Sequence, residues 1–187
     1  MIKIDAGDFF LVEPSDDYSE QIAEYKQAFL DANSSMDGCG PLRRSENPTA
    51  YIAECQKYTK PDTLPEGLVI ATQFMYVRKA DNRLVGMIQV RHYFNEYLSQ
   101  FGGHIGYSIK PNERKKGYAT EMLKYALIVC KEKGMEEVIL GCYENNHGSN
   151  KTIVKNGGVL FRQDVEKKQL SDNWNIELKC NYYKIKL

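Results

Sequence analysis

The 187-residue chain lacks any Cys-x-x-Cys pair, and its three histidines, His92, His104 and His147, fall at spacings that build no metal site. No metal is expected. Its cysteines, Cys39, Cys55, Cys130, Cys142 and Cys180, are odd in number. Cys130 and Cys142 stand inside apolar patterns, where a free thiol behaves as a small hydrophobe. This usage argues against a disulfide framework and for a reducing compartment. No stretch approaches the ~20 apolar residues of a membrane span. Met1 to Phe10 is too acidic, and too short in apolar residues, for a signal peptide. The expected location is therefore the cytoplasm. Net charge is also missing: 25 Lys and Arg balance 25 Asp and Glu. That balance supplies no general attraction to nucleic acid or to an anionic membrane, so neither is expected as a partner. A local basic patch on an anionic cofactor remains compatible with it. Neither G-x-x-x-x-G-K-[ST] nor G-x-G-x-x-G occurs, which weakens the nucleotide hydrolase and dinucleotide dehydrogenase readings.

What is present is a globular balance, 42% hydrophobic and 27% charged residues. The length fits one domain, 1–187, and a chain of this size buries roughly 70% of its unfolded surface without a metal or disulfide staple. Residues 9–13 read as a short strand stopped by Pro14. Ser15-Asp16-Asp17 then caps a helix over ~16–32, with Ile22, Tyr25, Phe29 and Leu30 on one face. Residues 34–47 carry Gly38, Gly40 and Pro41 and read as a loop. A second helix spans 51–58. Strands follow at 68–78 and 83–94, joined by an Asp81-Asn82 turn, and at 103–109. The strongest helix is 118–133, where Ala119, Met122, Leu123, Ala126, Val129 and Cys130 form one apolar face. A strand at 137–143, a short helix at 149–155 and strands at 159–163 and 174–186 complete the order β-α-α-β-β-β-α-β-α-β-β. The fold class is α+β with a central mixed β-sheet flanked by helices. The strand-helix-strand unit predicts that 104–109 and 137–143 run parallel.

The sharpest local feature is Pro111-Asn112-Glu113-Arg114-Lys115-Lys116-Gly117-Tyr118-Ala119-Thr120. It joins a strand to the strongest helix and gathers three cations where that helix begins. A helix N-terminus already carries partial positive charge and free N–H groups, so cations there are unfavourable unless an anion binds. Gly117 lets backbone approach a ligand, and Ala119 leaves the first turn unobstructed. The segment reads as a phosphate-binding turn. The competing reading is a solvated basic turn that merely links two elements.

Arg114-x-x-Gly117-x-Ala119, after the strand Gly106 to Pro111, resembles motif A of the GNAT family of N-acetyltransferases. Asn146-x-x-Ser149, followed by Lys155-Asn156-Gly157-Gly158, is similar to the family's Asn-x-x-Ala/Ser helix ending in a Gly-aromatic turn. The element order is that of the family, so the resemblance covers nearly the whole chain. It implies acetyl-CoA as co-substrate and strands 104–109 and 137–143 splayed around its pantetheine arm. Backbone near Ile109 then pairs with the arm. Backbone N–H groups of Arg114, Lys115, Lys116, Gly117, Tyr118, Ala119 and Thr120 hold the pyrophosphate. Asn146 and Ser149 contact the cofactor from the other side, and an amine attacks the thioester directly in a ternary complex. The implied partner is a small-molecule or peptide amine, and a homodimer is compatible with the family. Two departures stand out: Ile153 occupies the position where many relatives carry a proton-donating tyrosine, and Gly158 replaces the aromatic.

The proton acceptor has two candidates. His104 neighbours Gly106 and Ser108 by strand alternation, which leaves room for it to face a cleft and take a proton. Its structural alternative is a half-buried histidine with a backbone partner. Glu96 sits in a loop after the second strand of the hairpin and is either a base or solvated surface. His92 and His147 read as structural, and Trp174 as core. Arg43 and Arg44 either grip an anionic substrate or stay in solvent. Two functions follow: an N-acetyltransferase acting on a primary amine, or a non-catalytic acyl-CoA-binding module in which the missing tyrosine marks lost chemistry.

Overall fold

The computed structural model describes residues 2–100, 102–171 and 174–187, and the side chains of all these except 97, 100, 167–171, 174 and 175. Strands β1 (Lys3–Ala6), β2 (Phe9–Val12), β3 (Ala71–Arg78), β4 (Arg83–Arg91) and β5 (Ile105–Ile109) pair in that order into one antiparallel sheet. Strands β6 (Glu137–Tyr143), β7 (Val159–Ser171) and β8 (Trp174–Lys186) form a second, in the order β6-β8-β7. Helices α1 (Ser19–Asp31), α2 (Pro48–Lys57), α3 (Glu96–Gln100), α4 (Tyr118–Glu132) and α5 (His147–Lys155) connect them. The α+β class stands as read from the sequence, but β1 and α3 were not foreseen, and β7 is longer than 159–163.

The expected parallel pair is absent as a ladder. Every ladder among the described residues is antiparallel, and the one isolated bridge among them, Gly103 with Leu140, joins the residues just ahead of β5 to β6. Each of these strands is thus the edge of its own sheet. Beyond the bridge the two edges have no strand between them and form a wedge. An edge strand presents unpaired N–H and C=O groups, which an amide-bearing ligand can use.

Strands β3 and β4 explain why helices cover both faces of the larger sheet. Phe74, Tyr76, Val85, Ile88 and Val90 join a core with Met122, Leu123 and Ala126 of α4. Met75, Val77, Leu84 and Met87 point the other way, against Ile22, Tyr25 and Phe29 of α1 and Tyr51, Ile52 and Cys55 of α2. The side-chain period of 2 sends alternate residues to opposite cores, and the bulge opposite Tyr76 and Val77 resets the phase on β4, so Val85 and Met87, two apart, face opposite ways. Burial of each such side chain stabilises by ~1.5–3 kcal/mol relative to exposure. The first core also takes Val138 and Leu140 of β6 and Tyr183 and Ile185 of β8, so it ties the two sheets together.

Local chemistry sets the helix ends. Asn47 Oδ1 accepts from the Ala50 N–H at 2.9 Å and Pro48 opens α2. At α1 the expected cap is instead a 3-10 turn, Asp16–Tyr18, and Ser15 makes no capping bond. No helix among the described residues is long and apolar enough to cross a membrane.

Candidate active site

Gly117 is the N-cap of α4, with φ of 86°. That left-handed conformation costs an L-residue roughly 1–2 kcal/mol, so backbone geometry explains the glycine. A Cβ there would meet no atom within 4 Å, so steric crowding within the chain does not. No side chain caps α4; the Thr120 N–H donates back to the Gly117 carbonyl at 3.0 Å, and the N–H groups of Tyr118 and Ala119 precede it in the first turn. The turn ahead of α4 opens on a groove of about 670 Å³.

Nine of the residues expected at the cofactor line this groove: Ile109, Arg114, Lys115, Gly117, Tyr118, Ala119, Thr120, Asn146 and Ser149. Lys116 does not; its Nζ turns to Glu113 at 2.7 Å, and Glu113 also binds Arg78 at 3.1 Å. These cations hold the Glu113 carboxyl below its ordinary range, Lys116 first and Arg78 next. Arg114 is fixed by the protein itself. Its guanidinium donates to the Ile109 carbonyl at 3.1 Å and to Ser34 Oγ at 2.9 Å, beside the Phe29 ring. The sequence reading missed Lys151 and Lys155, which bring two more positive charges to the groove from α5. Their spacing, i and i+4 on one helix face, is a legible signal.

A second cleft of about 290 Å³ fills the wedge between the two sheet edges. Ile105, Gly106 and Tyr107 form one wall and Gly141, Cys142 and Tyr143 the other, with Ile153 also lining it. Asp37, Arg91 and Glu166 supply its charges. Glu166 accepts from the Tyr143 hydroxyl at 3.2 Å and the Cys180 thiol at 3.8 Å. Burial, reinforced by Cys180, pushes the Cys142 thiol up to about 11. Burial and Glu166 do the same for Cys180, also to about 11. Both therefore stay protonated and weakly nucleophilic at neutral pH.

Asp37 reaches the cleft because its loop is pressed onto β5. The backbone of Gly38, φ 70°, lies so close to Gly106 that any Cβ on Gly38 would overlap the Gly106 carbonyl. Gln73 Nε2 donates to the Gly38 carbonyl at 2.8 Å, and Cys39 Sγ lies 3.2 Å from Ser108 Oγ. The segment read as a plain loop is therefore one wall of the site. Asp37, Tyr107, Asn146 and Ser149 line both clefts, so the two volumes meet there.

His104 sits at the closed end of the wedge and lines neither cleft. Its backbone N–H donates to the Ile139 carbonyl at 2.7 Å, and its Nδ1 accepts from the Ile139 N–H at 2.9 Å. The ring stacks on Phe94 at 3.8 Å and is 9% exposed. Burial, with Arg91 adding to it against Glu137, lowers its pKa to about 4. A neutral ring whose Nδ1 lone pair is taken carries its proton on Nε2 and has no lone pair left for a substrate. His104 is thus a clasp between the sheets, contrary to its reading as a base. Glu96, read as a loop carboxylate, opens helix α3, is exposed, and lines neither cleft.

The remaining candidates are placed as follows. Asn146 Oδ1 accepts from the Ser149 N–H at 3.1 Å and so caps α5 while lining both clefts. His92 Nε2 pairs with Thr72 Oγ1 at 2.9 Å, and His147 is exposed at the start of α5. Arg43 and Arg44 are exposed; the first donates to the Ser34 carbonyl at 2.9 Å and the second binds Glu54 and Tyr58. The Trp174 side chain lies outside the described residues.

Among curated proteins no sequence relative matches the chain. Solved structures do. The ribosomal-protein-S5-alanine acetyltransferase from Vibrio fischeri superposes with a TM-score of 0.70 at 15% identity, covering 100% of this chain and 97% of that one. The Salmonella typhimurium acetyl transferase that modifies the N-terminal serine of ribosomal protein L7/L12 gives 0.68 at 14% identity, covering 100% and 99%. The microcin C7 self-immunity acetyltransferase, solved with acetyl-CoA and AMP, gives 0.64 at 18% identity, covering 97% and 94%. These likenesses establish the fold. A model of the acetyltransferase (GNAT) family matches residues 39–157, from the loop wall of the site to the end of α5 and its turn. The chain therefore belongs to the acetyltransferase (GNAT) family.

Proposed function

We propose that this protein transfers an acetyl group from acetyl-CoA to a primary amine by direct attack in a ternary complex. The observation that carries the reading is the meeting of two unlike clefts at Asp37, Tyr107, Asn146 and Ser149. One has uncapped helix N–H groups with Lys115, Lys151 and Lys155 around it, which suits a pyrophosphate. The free edges of β5 and β6 suit the amides of a pantetheine arm. The other cleft has carboxylates on two walls, Asp37 and Glu166, which suits an ammonium. A relative of the same fold was solved with acetyl-CoA. Direct attack fits better than an acyl-cysteine intermediate, because the pocket thiols, Cys142 and Cys180, are held protonated. The N-terminal serine of a ribosomal protein, named for one neighbour of the same fold, is one acceptor of this class, and small amines are another. Five unpaired cysteines suit a reducing cytoplasm.

Calorimetry with acetyl-CoA, followed by thiol release over a panel of alkylamines, polyamines and short peptides with free N-termini, tests the reading. Saturable binding with amine-dependent thiol release is expected. Binding without release from any amine would instead support an acyl-CoA-binding module.

A further inference from the structure

The reacting carbonyl has to lie where the cofactor groove opens into the acceptor cleft, because only there do thioester and amine touch. Four residues line both volumes at that place. Asn146 and Ser149 hold no group that titrates. The other two, the Tyr107 hydroxyl and the Asp37 carboxylate, do. Resting on the amine-acetylation reading above, we infer that Tyr107 gives a proton to the departing thiolate and that Asp37 takes one from the attacking ammonium.

Tyr107 comes from β5, and its hydroxyl reaches across to α5, where it donates to the Ser149 carbonyl at 3.4 Å. Ser149 lies one helical turn before Ile153, the buried apolar residue on the cleft side of that helix. Helix α5 thus offers the cleft an aliphatic side chain at 153, and the hydroxyl arrives from the facing strand. The bond at 3.4 Å is at the long end of the useful range, so little is lost when the hydroxyl turns to a stronger acceptor. A thiolate is such an acceptor, since bonds to an ion are roughly twice as strong as neutral ones. Burial raises the Tyr107 pKa, which keeps the proton on it at neutral pH until a base forms beside it.

Asp37 is exposed, and its Oδ2 accepts from Ser35 Oγ at 2.6 Å. The close seat of Gly38 on Gly106 fixes its distance from the strand that carries Tyr107. Glu166 is the other carboxylate of the cleft, but it lines the acceptor side alone and is bound to Tyr143 and Cys180. Its place suits attraction of the ammonium rather than contact with the reacting centre.

The protons balance. The ammonium gives one to Asp37, and the free amine attacks the carbonyl carbon. The carbon–sulfur bond breaks with its electron pair going to sulfur, which takes the Tyr107 proton. The nitrogen, still carrying an extra proton, returns it to the tyrosinate. Asp37 then releases its proton to solvent.

Three variants test the assignment: Tyr107→Phe, Asp37→Asn and Glu166→Gln. Each is assayed with the alkylamine the parent acetylates fastest and with hydroxylamine, which is largely unprotonated at neutral pH. Tyr107→Phe is expected to lower kcat about 10²-fold with both acceptors while acetyl-CoA affinity, by calorimetry, stays at the parent value. Asp37→Asn is expected to lower kcat about 10²-fold with the alkylamine and far less with hydroxylamine. Glu166→Gln should raise the alkylamine KM more than it lowers kcat. Acetyl-CoA affinity reports that each variant is folded, and Asp37→Asn, on an exposed loop, leaves the core untouched. Parent-level kcat in Tyr107→Phe, or an equal loss with both acceptors in Asp37→Asn, overturns the proton assignment alone. Absence of acetyl-CoA binding or of thiol release in the parent overturns the amine-acetylation reading, and this inference with it.

Discussion

Ile153 and Gly158 form one packing unit: a Cβ on Gly158 would fall inside contact distance of Ile153 Cγ2 and press on the Ile153 carbonyl. The two departures from the family pattern are therefore coupled. The isoleucine that stands in the tyrosine's place is 1% exposed and fills the space a residue at 158 would need. Gly158→Ala is expected to cost about 1–3 kcal/mol by overpacking, and Ile153→Ala about 2–5 kcal/mol by leaving a cavity. The double variant should cost less than the sum by about 0.5–3 kcal/mol, because each change relieves part of the other's defect. Urea midpoints of the four proteins measure this, and strict additivity would show the two sites to be independent.

Gly117 separates conformation from charge. Gly117→Ala meets open space but must hold φ at 86°, so it should destabilise by about 1–2 kcal/mol and spare most of the acetyl-CoA affinity. Gly117→Glu adds a negative charge at the turn proposed to hold the cofactor's pyrophosphate, and its affinity should collapse. Calorimetry beside thermal melts distinguishes the two, and equal affinity in both variants would remove the turn from the cofactor site.

Lys151 and Lys155 extend the positive surface of that groove. Replacing both by alanine should weaken CoA binding by about 0.4–2 kcal/mol in total, as for two exposed ion pairs. The difference from the parent should shrink as salt is raised, because the Debye length falls from ~10 Å at 0.1 M to ~3 Å at 1 M. A loss that ignores ionic strength would point to packing in place of charge.

His104 makes the fold acid-sensitive. Its pKa drops to about 4 in the folded chain from 6.5 when free, so the unfolded chain binds the extra proton between these values. Stability is complete above the free value and declines as pH falls towards the folded one. His92, also lowered by burial, adds in the same direction. Paired carboxylates such as Glu113, ordinarily near 4.5 and lowered here, lose their contribution only below that value. Urea midpoints from about pH 7 to about pH 5 isolate the histidine effect. His104→Asn retains an acceptor at the Nδ1 position for the Ile139 N–H and should flatten the decline to the part that His92 supplies. An unchanged slope would mean that the ring is not desolvated.

How much of this was legible depended on distance along the chain. The α4 face, Met122 to Cys130, follows from a period of 3.6 and was read correctly, as were the turn at Arg114 and the helix around Ser149. Lys151 and Lys155 were available to the same reasoning and were passed over. The parallel pairing was inferred from a rule about strand-helix-strand units and failed. Here β5 and β6 end separate ladders, with one bridge just ahead of β5, and the gap between them is the cleft proposed to receive the acceptor.

The sequence by itself determined most of the elements, the α+β class, the basic turn at the start of α4 and the family, because those rest on periodicity and spacing within a few residues. Tertiary structure alone decided which groups line the two clefts. Alternation on β5 left His104 free to face a cleft, yet the Ile139 N–H of another sheet takes its lone pair. Asp37 lies in the segment read as a loop over 34–47, and contact between Gly38 and Gly106 seats it at the two clefts that Tyr107 also lines. Such contacts join residues far apart in the chain and depend on how closely two backbones approach. No local pattern of side chains encodes that distance.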